Sequence, residues 1–374
     1  MKNAAFITGF GVCLPNAPVG NDEIENVLGR LSSMSSRVKL RALGHNGILS
    51  RHYAIDATGR QTHTQAELTA EAIRVLARNW DFPLASMECL ACATSAGDQV
   101  IPSHGSMVHA ELGGQACEVV TTAGVCCAGM AALKYGYLNV AAGNCRNAVV
   151  TGSELASPTL TARHFQAAAA EPVLAFDSEF LRWMLSDGAG ALLITPAPRP
   201  GVPSLRIDWL DILSYAHETE VCMHFGLRKH KDGTTTGYRS VADVAELAAG
   251  GYLNLAQDVG ILKDRMPVLL RAALDTMKSK RALDAAQIDW FLPHYSSEWL
   301  RRPFYDILAE KGLEIGNDKW FTNLTRKGNT GSAAIYIILE ELVSSGRLKS
   351  GQRLLCFVPE SARMTFAFMH LTVC

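Results

Sequence analysis

Strand-like and helical segments alternate along the 374 residues, which predicts an α/β protein of stacked sheets and helices. Two observations carry this expectation. Short apolar runs bounded by turn residues recur throughout, and longer stretches between them place apolar residues at helical spacing. A third observation concerns organisation: both halves run through a similar strand–helix order, which suggests an internal duplication, although their pairwise sequence similarity is weak.

The first half opens on a strand, Ala4–Gly9. Thr64–Asn79 reads as an amphipathic helix with Leu68, Ala72, Val75 and Leu76 on one face. Strands at Cys89–Ser95, Cys117–Thr121 and Ala148–Gly152 alternate with helices at Ser106–Leu112 and Ala128–Ala142, and Asp187–Ala191 leads into the strand Leu192–Thr195. The Pro-dense stretch Pro196–Pro203 has the composition of a connector. It divides the chain into expected units 1–197 and 204–374. In the second unit a strand near Leu205–Leu213 precedes a polar, basic loop, Arg228–Gly237, and a long helical region, Val241–Met277. Asp289–Pro293 is a strand ending at His294, followed by helices at Glu298–Lys311 and Ala333–Ser345 and strands at Arg353–Val358 and Thr365–Val373.

Composition narrows the function. The chain is 48% hydrophobic and 19% charged, with a formal net charge of −1, enough apolar material for a large core. Near-neutral balance gives no reason to expect nucleic acid or an anionic membrane as main partner. The start of the chain lacks a signal-peptide pattern, and no apolar run reaches the roughly eighteen residues that span a bilayer, so a soluble cytoplasmic protein is expected. Most of the ten cysteines lie in or beside apolar segments, as buried free thiols do. Cys89-Leu90-Ala91-Cys92 matches a CxxC but has no second ligand pair, and it reads as a buried strand. No metal and no cofactor are expected.

The strongest local signal is Thr121-Thr-Ala-Gly-Val-Cys-Cys-Ala-Gly-Met130, where a strand ends, small residues turn the chain, and a cysteine opens an Ala-rich helix. The partial positive charge and unpaired N–H groups of a helix N-terminus favour thiolate over thiol and stabilise an oxyanion. Gly124, Ala128 and Gly129 leave room for a substrate beside the backbone. A core cysteine at a small-residue packing junction is the competing interpretation. Phe291-Leu-Pro-His294 places a histidine at the end of a strand, and Lys327-Gly-Asn-Thr-Gly-Ser332 places an asparagine in a glycine-flanked loop, each ahead of a helix. Ligand-facing groups collect at such strand ends. Either residue alone also fits a satisfied core histidine or a turn asparagine.

Together these segments resemble the β-ketoacyl-acyl-carrier-protein synthase III family of the thiolase superfamily. The likeness runs over nearly the whole chain. It includes Ile7-Thr-Gly-Phe-Gly-Val-Cys-Leu-Pro15, Gly47-Ile-Leu-Ser-Arg-His52, Val125-Cys-Cys-Ala-Gly129, Thr151-Gly-Ser-Glu154, Asp187-Gly-Ala-Gly190, Pro293-His294, Gly328-Asn-Thr330 and Gly346-Arg-Leu-Lys-Ser-Gly351. The resemblance implies a thiolase fold, a duplicated five-layered αβαβα arrangement, and a homodimer. It implies Cys127 as nucleophile, Cys126 as the small residue before it, and His294 and Asn329 as donors to the second thioester. The implied reaction is a Claisen-type condensation of acyl groups carried on acyl carrier protein or coenzyme A.

Departures from the family pattern bear on substrate. The family's glycine-rich oxyanion loop reads Val358-Pro-Glu-Ser-Ala-Arg-Met-Thr365 here, so a bulkier, more polar pocket wall is expected, with the amides of Cys127, Ser361 and Ala362 as candidate oxyanion donors. The tryptophan that stacks on coenzyme A has no counterpart in Lys39–Asn46, which favours a protein-borne acyl group. Arg301, Arg302, Arg228 and Lys229, with Lys231 in the same basic loop, are candidate docking residues for an acidic carrier; ordinary surface charge is the alternative. Glu154 is a candidate assisting acid or base, with structural pairing as its alternative. Phe180–Asp187, Ser214–Glu218, Pro293–Ser297 and Pro359–Arg363 resemble secondary-metabolism ketosynthases that form dialkylresorcinol or cyclohexanedione products. Acyl transfer to an oxygen or nitrogen nucleophile uses the same cysteine and histidine, and a non-catalytic partner subunit is a third reading.

Overall fold

The computed structural model describes residues 3–31, 36–165, 178–230 and 232–374. Nine strands form its main sheet: β1 (Phe6–Cys13), β2 (Cys89–Thr94), β3 (Glu118–Ala123), β4 (Ala148–Glu154), β5 (Gly188–Thr195), β6 (Leu205–Ser214), β7 (Trp290–Pro293), β8 (Arg353–Glu360) and β9 (Thr365–Val373). Their order is β7-β8-β9-β6-β1-β5-β4-β2-β3. Only two residue pairs, Phe6 with Arg206 and Ile7 with Leu205, join β1 to β6. On one side of that junction β1 runs antiparallel to β5, β5 antiparallel to β4, and β4 parallel to β2, which is parallel to β3. On the other side β6 is antiparallel to β9, β9 antiparallel to β8, and β8 parallel to β7. A single parallel bridge from Phe291 to Trp320 stands where β3 stands in the first half. The expected repetition of strand order is therefore present in the backbone.

The main helices are α1 (Gln65–Asn79), α2 (His104–Leu112), α3 (Cys126–Ala142), α4 (Val259–Lys280), α5 (Arg301–Glu310) and α6 (Ala334–Ser344). Thr64 caps α1 rather than belonging to it: its side chain accepts from Glu67 N, and Glu67 answers through the Thr64 backbone. The helix expected over Val241–Met277 is instead two helices, Val244–Ala249 and α4, separated by the short strand Ala256–Gln257. Gly250 and Gly251 end the first, and Asp258 starts the second by accepting from Ile261 N.

Three apolar layers hold the stack together. β8 shows how: Leu354, Cys356 and Val358 face the core containing α3 and α6, while Leu355 and Phe357 face the core containing α4 and α5. On the other half Val150 faces the central core and Val149 packs with α1. Strand side chains alternate in direction, so a strand buried on both faces reads as a continuous apolar run. Two half-sheets with helices outside and α3 and α6 between them make the five-layered αβαβα thiolase arrangement. Cys89 and Cys92 are buried within β2, as the strand interpretation of the CxxC expects.

Candidate active site

Helix α3 begins at Cys126, two residues earlier than the sequence suggests, directly after the turn at Gly124–Val125. Its first turn crosses the Asn329–Ser332 loop closely enough to demand glycine. A Cβ on Gly129 would lie 2.2 Å from the Ser332 carbonyl oxygen, and one on Gly152 would lie 2.3 Å from the same atom. The glycine two positions after Cys127 is thus explained by close approach of two backbones. This crossing brings the cysteine-bearing helix of the first half against the asparagine-bearing loop of the second.

His294 follows β7 and is buried, its backbone N–H bonded to Phe357 O at 2.8 Å. Burial pulls its pKa down to about 4, so the ring is neutral at pH 7 and available as a donor. Asn329 is held by backbone bonds to Met184 and Ser186, and its Oδ1 accepts from Gly331 N at 3.0 Å. That bond fixes the side-chain oxygen and leaves the NH2 group as the free donor end. His294, Asn329, Cys126 and Glu154 share the wall of one cavity of about 420 Å³. Leu155, Leu181, Met223, Phe225, Leu262 and Met266 contribute to its largely apolar lining.

Glu154, the last residue of β4, accepts from Ser95 Oγ at 2.7 Å and Ser332 N at 3.0 Å. Burial raises its pKa to about 7 despite these bonds. Asp187 accepts from the amides of Ala54, Ala156 and Ser157 and from the Ser157 hydroxyl, fixing the chain just beyond Glu154.

The two cysteines face differently. Cys126 is on the cavity wall. The Cys127 thiol is turned to the ends of β8 and β9, donating to Val358 O at 3.2 Å and approaching Thr365 O at 3.7 Å. The expectation that the helix start favours a Cys127 thiolate is corrected: burial first, and then the charge of Glu360, push its pKa well above the ordinary thiol value. Sequence reasoning assigned Glu360 no role. Its Oε2 accepts from Val125 N at 3.1 Å and from Cys127 N at 2.9 Å. The Cys127 amide, one of three candidate oxyanion donors, is therefore already engaged by a carboxylate.

Ser361 and Ala362 line the cavity, and Ala362 O accepts from Cys222 N at 2.9 Å. The expected polar wall is also corrected. Arg363 donates to Thr219 O at 2.8 Å, Glu360 turns onto α3 and Ser361 Oγ rests on Met223 Sδ at 3.7 Å, so the polar heads of this loop are engaged and the lining is largely apolar. The segment after β6 roofs the cavity with Val221, Met223 and Leu227, the last beginning a hairpin of Leu227–Lys229 with Thr235–Gly237.

The candidate docking residues do not form one patch of free charge. Lys229 is paired with Glu220 at 2.9 Å and Asp258 at 3.1 Å. Arg301 pairs with Glu298 and lies over the Trp320 ring, and Arg302, largely exposed, pairs with Asp306. Arg228 lies beside Lys229 in the hairpin, while Lys231 falls outside the described residues.

Residues 279–358 match the C-terminal family of 3-oxoacyl-[acyl-carrier-protein] synthase III. Over 353 residues the chain is 26% identical to the β-ketoacyl-[acyl-carrier-protein] synthase III of Bordetella petrii, covering 94% of this chain and 93% of the relative. The chain is thus similar to β-ketoacyl-[acyl-carrier-protein] synthase III enzymes over nearly its whole length. Among solved structures, the tetronic acid condensing enzyme AbyA1 superposes on this ketosynthase-like chain with a TM-score of 0.77 at 18% identity, covering 98% of this chain and 99% of that one. OleA from Xanthomonas campestris gives 0.75 at 18% identity, covering 99% and 98%. At that identity both likenesses speak to the fold. The chain thus shares the fold of these condensing enzymes. Among the described residues no helix is long and apolar enough to cross a membrane.

Proposed function

We propose that this protein is a condensing enzyme that loads an acyl group onto Cys127 and joins it to a second acyl thioester held by His294 and Asn329. One observation carries the reading: a neutral buried histidine and an oriented asparagine amide meet at the wall of an apolar cavity against the start of the cysteine helix. Two hydrogen-bond donors aimed at one thioester oxygen lower the cost of enolate charge where water is excluded. The carbanion left when a malonyl-type second group loses carbon dioxide then attacks the acyl-Cys carbonyl, forming the carbon–carbon bond as the carbon–sulfur bond breaks and Cys127 leaves as thiolate.

Apolar lining fits alkyl or aryl acyl chains. Acyl carrier protein or coenzyme A is the expected carrier, since the named relatives act on carrier-bound groups. A cyclised dialkylresorcinol- or cyclohexanedione-type product is the proposed outcome, with Glu154 as the assisting acid. We also propose a homodimer, and units 1–197 and 204–374 as the two copies of a duplicated half.

Placement of Cys126 on the cavity wall favours a second reading, in which Cys126 carries the acyl group. Intact-protein mass spectrometry with a panel of acyl thioesters separates the two. The adduct is expected to survive Cys126→Ala and vanish in Cys127→Ala; the opposite pattern transfers the role to Cys126, and condensation that persists in Cys127→Ala ends the main reading.

A further inference from the structure

We propose that Glu360 takes the Cys127 thiol proton during acyl loading and, in doing so, releases the Cys127 amide to the incoming thioester oxygen. The inference rests on the reading of Cys127 as the nucleophile.

Glu360 ends β8, and its carboxylate folds over the first turn of α3, accepting from both Val125 N and Cys127 N. An oxyanion forming on the acyl carbon of Cys127 needs the same Cys127 N–H. One amide cannot serve both anions fully, so acyl loading requires the carboxylate to loosen or leave.

A buried carboxylate that gives up two amide bonds is left costly as an anion. Glu360 is nearly buried, burial already raises its pKa, and those two backbone bonds are what lower it. Taking up a proton removes the cost. The source we assign is the thiol of the same residue whose amide it holds: that thiol rests on Val358 O, two residues before Glu360 on the same strand, and burial and then the Glu360 charge keep it protonated. His294 is a poor competitor for the proton because burial depresses its basicity. The opposite half supplies a control within the molecule: Glu154 ends β4 and accepts from Ser332 N near the start of α6, but no thiol lies at that helix start.

The step balances without a co-reactant. The S–H bond of Cys127 breaks as an O–H bond forms on Glu360. Sulfur bonds to the acyl carbon, the bond from that carbon to the carrier sulfur breaks, and the carrier thiolate takes the proton from Glu360. The carboxylate is restored and the carrier leaves as a thiol.

The test compares Glu360→Gln with the parent protein, using acetyl- to dodecanoyl-coenzyme A and the matching acyl-carrier-protein thioesters. Single-turnover loading is read by intact mass and peptide mapping, with whichever thioester labels the parent fastest. Glutamine keeps an acceptor for the two amides but removes the base, so loading should slow about 100-fold. Alkylation of Cys127 by iodoacetamide, in contrast, should proceed at least as fast as in the parent, because the opposing charge is gone. Loading within about threefold of the parent overturns the proposal. Parallel loss of loading and alkylation also overturns it and leaves Glu360 only a brace for the helix start. If the parent itself takes no acyl group at Cys127, the underlying reading fails instead, an outcome visible before any variant is made.

Discussion

The two halves place a glutamate at the same topological point and use it differently. Glu154 closes β4 and Glu360 closes β8, the strands that each pair antiparallel on one side and parallel on the other. Each reaches across to an amide of the other half's helix entry, Glu154 to Ser332 N and Glu360 to Cys127 N. Only the first-half helix carries a thiol there, and only the second half supplies His294 and Asn329. A repeated backbone thus provides two helix starts facing each other, and in the proposed function side chains divide acyl loading from thioester activation between them.

Breaking the crossing that joins the halves should have the largest effect. Gly129→Val puts a branched side chain where a single Cβ already meets Ser332 O at 2.2 Å. Thermal unfolding should register a loss of several kcal/mol, about 3 or more, or failure to fold. Near-parent stability would mean the crossing is far looser than described.

Asn329→Ala tests the division of labour. Removing one donor to the developing enolate should lower condensation about 100- to 1,000-fold. Acyl loading on Cys127, measured by intact mass, should stay within a few-fold of the parent. Equal loss of both steps would erase the distinction between the halves.

Glu154→Gln sharpens the comparison through pH. The Glu154 pKa is raised from 4.5 to about 7, so the folded state binds a proton that the unfolded chain has released across that window. Stability therefore falls as pH rises from about 4.5 to 7, and the lost contribution approaches ~3 kcal/mol. Asp187, raised from 3.8 to about 6, acts in the same direction over a lower window. The parent's melting temperature should drop more between pH 5 and pH 8 than that of Glu154→Gln. Identical pH profiles would show that Glu154 is not the group responsible.

The smallest effect is expected at the surface. Arg302→Ala removes an exposed pair with Asp306, worth about 0–1 kcal/mol. Stability should hardly move, so a severalfold rise in KM for an acyl-carrier-protein substrate would specifically mark Arg302 as a docking residue. An unchanged KM would leave it as ordinary surface charge.

Much of this was legible in the linear chain because it depends on local rules. Strand and helix alternation follows from apolar periodicity; the cysteine and histidine follow strand ends, and the asparagine sits in a glycine-flanked loop ahead of a helix. The helix expected over Val241–Met277 is split because Gly250 and Gly251 end its first part and the Asp258 cap starts a new one. Helix α3 starts two residues early for a related reason: Cys126 and Cys127 have no capping signature, and packing sets the boundary.

What the sequence by itself determined was the layered α/β fold and the segments ahead of helices that carry Cys127, His294 and Asn329. Only the tertiary structure decided their electrostatic state. Glu360 lies 233 residues from Cys127 along the chain, yet its carboxylate holds the Cys127 amide. A helix start alone favours a thiolate, but burial and that neighbouring carboxylate reverse the direction at Cys127. Local propensity acts over a few residues, whereas desolvation and charge depend on everything that packing brings within several ångströms.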